Sequence, residues 1–487
     1  MIQARVFARG LLRLALVVIA VAALSSFFYV VIAIRSRPLD GVEGEVLFLA
    51  KRLTAGLPIY MSPVEGAHDY GPVPARFYVL YTPVWAFLAS IVGGGMVTVR
   101  LGAFAIWALA LLNVVRLAAP ELRKTALVAC ACVFGTHLLV LYGSTARPDA
   151  LATALAMTAL AVAAARPGRW VTAVGSLLAL AAWTKPNVVG IAFGVFAYAA
   201  LRDRKALAQL IIGAFVPSVV IGAILYRASD GLFIEHLLKA TGQPPDFALW
   251  RSQVGARLPF FLLPLGYAIF CAHREPHRRD VAIARFALIG AIAWTVLSLA
   301  KIGSASNYWL EPSLAAFVLV SRAGVAWPKG PQAAWAGLAL VQTLYTGVAT
   351  LRSAWEAQRD LPAKRAYLSE LKASRGSASG SNGSGGHEEV IATDEAGLTF
   401  ELNGRILDTP FQFTHLTRAG RFPEELFLSD YQHPEVTRLL MSDDLLERPL
   451  TIESVPHDRF SPSMRRALLQ RFHFVEKRAG YFLYGVQ

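Results

Sequence analysis

Eleven apolar stretches run along the chain between Leu11 and Thr350, at approximately 11–34, 97–116, 125–142, 150–165, 170–184, 187–201, 206–226, 258–272, 282–300, 308–322 and 331–349. Each reads as a membrane-spanning helix. Several are shorter than the ~20 residues that cross a ~30 Å hydrocarbon core, and neighbouring Ser, Thr and aromatic residues extend them. The first stretch follows a basic N-terminus, as a signal peptide would. Its 24 residues exceed the ~7–15 of a signal h-region, so it is expected to be a retained span. Phe77–Val92 is apolar too, but it is short, contains Pro83 and follows Pro72 and Pro74. It is expected to be an interfacial or re-entrant element.

Beyond the last span the pattern changes. Leu351–Lys372 alternates charge and apolar residues as a short amphipathic helix, and Ser374–Gly386 is a Gly/Ser linker that contains the sequon Asn382-Gly-Ser. The last hundred residues carry short strand patterns (Glu389–Ala392, Leu398–Leu402, Thr437–Met441, Tyr481–Val486) and helical ones (Pro423–Ser429, Ser463–Phe472). The expected fold is therefore an all-α polytopic membrane protein of about eleven transmembrane helices with a small C-terminal α/β soluble domain. The limits would be 1–350 for the transmembrane domain, with a first outer loop at 35–96, then 351–387 for the amphipathic helix and linker, and 388–487 for the α/β domain.

Charge orients these spans. Lys and Arg collect in alternate loops: Arg5, Arg9 and Arg13; Arg116, Arg123 and Lys124; Arg166 and Arg169; Arg202, Arg204 and Lys205; Arg274, Arg278 and Arg279; Arg322 and Lys329. Cytoplasmic loops hold such excesses. The N-terminus then lies inside and the C-terminal domain outside. These same loops account for most of the net charge of +14, so anionic membrane lipid is the expected partner and nucleic acid is not. Cys130, Cys132 and Cys271 lie in or at the ends of apolar spans, and no CxxC spacing exists.

The chemistry-bearing residues fall on the opposite, outer set of loops. In the first, Val46, Leu49, Ala50 and Leu53 recur at helical spacing, with Gly56 as the stop. Glu43 would open that helix near its apolar stripe, and Glu45 would lie towards its polar side. Two roles remain open for Glu43: a general base or metal ligand, or the second half of a capping box with Asp40. His68-Asp69 lies further along the same loop. Between the third and fourth spans stands Arg147-Pro148-Asp149, where Asp149 either serves the helix dipole or lines a substrate cavity. Arg147 is suited to bidentate phosphate binding. Lys185, in Thr184-Lys185-Pro186-Asn187, either neutralises a helix end or binds phosphate. Glu311, in Asn307-Tyr308-Trp309-Leu310-Glu311, lies about one turn inside a span, where acids face a wet cavity or a partner.

Together these residues resemble the GT-C superfamily of membrane glycosyltransferases, the group that contains protein O-mannosyltransferases and the lipid A aminoarabinose transferase. The resemblance rests on Glu43-Gly44 with Gly56-Leu-Pro-Ile-Tyr60, Tyr70-Gly-Pro-Val-Pro74, Ala146-Arg-Pro-Asp149, Thr184-Lys185 and Asn307-Tyr308 with Glu311. It extends loosely to Asp408-Thr-Pro-Phe411. It implies an inverting transfer of a sugar from a polyprenyl-phosphate donor to an acceptor hydroxyl of a lipid, glycan or protein, outside the cytoplasm. By the same resemblance Glu43, aided by Glu45 or Asp69, would be the base or hold a divalent metal (Mg or Mn). Arg147 and Lys185 would receive the donor phosphate, and Asp149, Tyr308 and Glu311 would line the cavity. The family often has Asp just before the Glu; here Val42 stands there. A non-catalytic transporter or flippase for a lipid-linked glycan is the competing expectation.

Overall fold

The computed structural model describes residues 2–166, 168, 170–241, 245–273, 275, 277–324, 332–378, 389–446 and 459–487. Arg169, Arg274, Lys329, the Asn382 sequon and most of the expected linker lie outside these described residues. In chain order the helices are α1 (Ile2–Ser36), α2 (Gly41–Thr54), α3 (Val84–Ile91), α4 (Met96–Leu117), α5 (Arg123–Phe134) and α6 (His137–Gly143). Then come α7 (Asp149–Ala165), α8 (Val171–Thr184), α9 (Gly190–Arg202), α10 (Arg204–Ala228), α11 (Leu232–Thr241), α12 (Phe247–His273), α13 (Arg279–Ser298) and α14 (Leu310–Ala323). The last are α15 (Gln332–Ala378), α16 (Ala396–Asn403), α17 (Pro410–Arg418), α18 (Glu424–Gln432) and α19 (Pro462–Arg471). Among the described residues there are also four strands: β1 (Val390–Thr393), β2 (Val436–Met441), β3 (Phe472–Arg478) and β4 (Tyr481–Val486).

The chain divides into two compact units. The first comprises Met1–Ile34, Val99–Ile224 and Pro245–Ala357, and the second Arg35–Thr98, Leu225–Pro244 and Gln358–Gln487. In the first, the alanine-rich α7 is buried along most of its length against α8, α13 and α14. Close packing of α9 on α13 depends on glycine, because a Cβ on Gly194 would fall 2.2 Å from the carbonyl oxygen of Phe286. Small residues at such crossings let helix backbones approach where no water drives them together.

Among the described residues, four helical segments are long and apolar enough to cross a membrane: Leu16–Ser36 within α1, and α4, α10 and α13. The apolar α7, α8 and α9 are shorter. Two expected boundaries move. The stretch 125–142 is broken at Gly135 into α5 and α6, and the last span and the amphipathic helix are one continuous α15 of 47 residues. Phe77–Val92 supplies only the 8-residue α3, about 12 Å of helix at ~1.5 Å per residue.

The second unit is built on a four-stranded sheet of order β1-β2-β4-β3, with β1 parallel to β2 and the other pairs antiparallel. Successive residues face opposite layers. Ala392, Leu439 and Tyr484 pack with Phe413, Phe427 and Tyr431, while Ile391, Leu440 and Leu483 pack with Tyr367 and Leu371 of α15 and Leu398 and Leu402 of α16. Val73 and Tyr78 from the first loop join the first of these layers. Leu398–Leu402, expected as a strand, is helical. Its Leu398 and Leu402 lie one turn apart and together cover the sheet. The strand β3 went unforeseen because only its first residue, Phe472, is buried.

Candidate active site

In the second unit, Asp40 begins α2 by accepting a hydrogen bond from the Glu43 amide (2.9 Å), and the Glu43 carboxylate accepts one from the Asp40 amide (3.4 Å). This is a complete capping box. Glu43 is fully buried and also meets Arg37 at 3.5 Å. The helix ends at Thr54, and the chain leaves through Gly56 at φ +68°, a left-handed conformation that glycine adopts without strain.

Glu45 is not on a polar face. It is buried, and its carboxylate accepts the Leu80 amide at 2.7 Å. Burial pushes its proton affinity up to about 7, although that hydrogen bond opposes the rise. A carboxyl poised there is matched to general-base work at neutral pH. Asp69 stands elsewhere on the loop, paired at 2.8 Å with the buried guanidinium of Arg52, which also donates to Pro58 O. Among the described residues, no group of three or more His, Cys, Asp and Glu could hold a metal ion.

Gly44 has a packing role. A Cβ there would lie 2.3 Å from Gly397 Cα, and one on Gly397 would lie 2.1 Å from the Asp40 carbonyl oxygen. The pair of glycines lets α16 cross the first turn of α2. Lys51 fastens the same contact by donating to Gly404 O at 2.7 Å.

In the first unit, three expected residues converge. Asp149, at the N-terminus of α7, accepts from Lys185 Nζ at 2.5 Å and from Arg147 Nε at 3.2 Å. Asn307 Nδ2 donates to the same carboxylate at 2.9 Å. Lys185 is the C-cap of α8 and only 1% exposed. Burying an ammonium costs several kcal/mol unless a counter-charge answers it, and Asp149 is that counter-charge. Two cations on one carboxylate leave the cluster net positive. Arg147 also lies 5.2 Å from the Tyr142 ring.

Glu311, one residue into α14, is buried and accepts from the Ile191 amide at 2.6 Å. It thus caps the N-terminus of α9 from a neighbouring helix, where a carboxylate meets the positive end of the helix dipole. The Tyr308 carbonyl accepts from Thr295 at 3.0 Å, which ties the start of α14 to α13.

The arrangement of chain segments is similar to that in crystal structures of ArnT from Cupriavidus metallidurans. The structure bound to undecaprenyl phosphate superposes with TM-score 0.58 over 98% of this chain and 97% of ArnT, and the apo structure with TM-score 0.53 over 99% and 98%. The chain has the ArnT fold. Identity is 13% in both cases, so the likeness is one of fold. No protein-family profile matches the sequence, and no curated protein matches it at a significant level. The expected helical architecture with a small C-terminal sheet is met at the level of overall fold.

Several residues that organise these sites escaped the sequence reading. Arg52 and Arg37 hold the acids of the first loop. His236 of α11 is fully buried: its Nδ1 accepts the Val79 amide at 2.9 Å, and its Nε2 lies 2.8 Å from Met61 O, so Nε2 carries the proton. Asp408, within the loose C-terminal resemblance, is buried and accepts from Tyr431 at 3.1 Å, and burial beside Asp430 pushes its proton affinity well above the usual carboxylate range. A lone His on an apolar helix carries no local signal of such roles.

Proposed function

We propose that the protein is a membrane glycosyltransferase that moves a sugar from a polyprenyl-phosphate donor to an acceptor hydroxyl on the outer face of the membrane. The observation that carries this reading is the buried, net-positive cluster of Arg147, Lys185, Asp149 and Asn307 at the ends of α7, α8 and α14. ArnT, whose fold the chain shares, has been crystallised with undecaprenyl phosphate. In the reaction, the acceptor oxygen forms a bond to the anomeric carbon while the bond from that carbon to the phosphate oxygen breaks. The electron pair leaves with the polyprenyl phosphate, whose charge increases. Fixed cations answer that charge with little reorganisation. Asp149 and Asn307 position them.

The acceptor hydroxyl must lose a proton, and an acid of α2 is assigned that task. Glu45 has the better-matched proton affinity, whereas the Glu43 carboxylate is engaged as a cap. A positioned base contributes about 10²–10⁴ in rate. Glu311 and Tyr308 are assigned to the cavity wall beside the cation cluster. The acceptor is a lipid, glycan or protein hydroxyl.

The test is incubation of purified protein with a panel of polyprenyl-phosphate sugars and candidate acceptors, following release of polyprenyl phosphate. Turnover of at least one donor is expected. Movement of an intact donor across vesicles without cleavage would replace this function with transport.

A further inference from the structure

In the second unit, two adjacent amides of the first loop are held by side chains from two different helices. The Leu80 amide donates to the Glu45 carboxylate of α2 at 2.7 Å, and the Val79 amide donates to Nδ1 of His236 on α11 at 2.9 Å. His236 lies 157 residues from Val79 along the chain and is fully buried. Its Nε2 donates to Met61 O at 2.8 Å. One ring thereby joins the stretch around Met61 to the stretch around Val79. Arg52 of α2 secures the first of these, donating to Pro58 O at 2.8 Å and to Met61 Sδ at 3.0 Å.

Only a neutral histidine in one tautomer makes both bonds. An amide N–H donates and a carbonyl oxygen accepts, so Nδ1 is bare and Nε2 carries the proton. Burial favours that neutral form by lowering the proton affinity of His236. Tyr60 and Tyr78 pack edge-to-face on the ring, each with its centroid 5.3 Å away. The two backbone groups that His236 holds are the neighbours of residues that meet Glu45. Val79 precedes Leu80, and Met61 follows Tyr60, whose hydroxyl has its proton affinity raised by burial and then by the Glu45 charge. Filling the core would require no such coincidence.

We propose that His236 is a positioning residue for Glu45: by holding the Val79 amide it fixes the backbone whose next amide, on Leu80, orients the Glu45 carboxylate. The inference rests on the assignment of Glu45 as the base of the proposed transfer. A base must meet the acceptor hydroxyl at hydrogen-bond distance, and a misplacement of about 1 Å costs on the order of a hundredfold in rate. Asn at position 236 places its amide oxygen where Nδ1 stands and loses the bond to Met61. Gln places its amide nitrogen near Nε2 and loses the bond from Val79. Each variant gives up one buried hydrogen bond and the ring's packing on Tyr60 and Tyr78, so a purely structural role predicts equal damage from both.

The experiment compares the detergent-purified wild type with His236→Gln and His236→Asn. Release of polyprenyl phosphate gives kcat and KM, and amide hydrogen exchange with residue-resolved fragmentation follows Val79 and Leu80. His236→Gln should lower kcat about a hundredfold, keep the donor KM within about twofold and speed exchange at Leu80 about tenfold or more. His236→Asn should keep kcat within about threefold and leave Leu80 protected. In the wild type, which needs no variant to fold, Val79 and Leu80 should show the same protection because they open as one unit. Equal loss of kcat in the two variants, Leu80 as protected in His236→Gln as in the wild type, or wild-type Leu80 far less protected than Val79 would overturn the proposal. Normal turnover by Glu45→Gln would instead withdraw the base assignment, and a wild type that turns over no donor would withdraw the function. In either case exchange at Leu80 still decides whether His236 holds the backbone against Glu45.

Discussion

Replacing Lys185 by Met separates the structural part of the cation cluster from its chemistry. Met keeps the length and apolar stem of the side chain but leaves Asp149, itself 1% exposed, without the ammonium now 2.5 Å away. Arg147 at 3.2 Å and the Asn307 amide at 2.9 Å remain, so the carboxylate is not orphaned entirely. Breaking one partner of a buried ion pair costs about 3–5 kcal/mol, and the surviving contacts put the expected loss at the low end, about 3 kcal/mol. Adding Asp149→Asn removes the uncompensated charge and should restore most of the loss, because replacing both partners of a buried pair is often near neutral. Stability is read from reversible unfolding in mixed micelles, and turnover from release of polyprenyl phosphate. The double variant should be nearly as stable as the wild type and yet turn over donor at least a hundredfold more slowly. A Lys185→Met protein as stable as the wild type would refute the ion-pair energetics. A double variant with normal turnover would refute the assignment of Lys185 to the phosphate.

Glu43→Gln should cost about 1 kcal/mol through the weakened cap, seen as a lower melting temperature, while turnover stays within a few-fold if Glu45 is the base. Abolished turnover would return the proton transfer to Glu43. Because the folded protein raises the Glu45 proton affinity from 4.5 to about 7, it binds that proton more tightly than the unfolded chain does. The resulting stabilisation is complete below about pH 4.5 and is lost as pH rises through 7. Glu45→Gln should therefore match the wild type at pH 4 and exceed it at pH 8 by up to about 3 kcal/mol. Turnover of the wild type should rise through pH 7 and vanish in the variant. Superimposable pH–stability curves would remove the basis for this assignment. Gly397→Ala, which drives a Cβ to 2.1 Å from a backbone oxygen, should cost about 1–3 kcal/mol, and melting at neutral pH measures it. For orientation, Val92→Cys and Ser381→Cys in a cysteine-free background should both react with an impermeant maleimide in spheroplasts; labelling of neither would invert the topology.

What was legible in the sequence was local. The capping box of Asp40 and Glu43 is a contact over three residues, and the exit at Gly56 belongs to the same helix, so spacing alone exposed both. The apolar runs announced helices because a lipid-facing backbone must satisfy its own hydrogen bonds. The short apolar runs of β1, β2 and β4 were readable because those strands bury residues on both faces. Distance along the chain hid the rest. Asp149 becomes a hub only when Lys185 and Asn307 arrive from 36 and 158 residues away. Glu45, placed on a polar face by helical periodicity, is buried because the backbone at Leu80 folds over it, and that burial sets its proton affinity. The segment at Leu398 has a strand's composition, yet it is a helix because it must cover the sheet while crossing α2 at Gly44. Composition and period decided which segments leave water; the tertiary structure decided which charges meet once they have left it, since only a neighbour at hydrogen-bond distance can offset the loss of hydration.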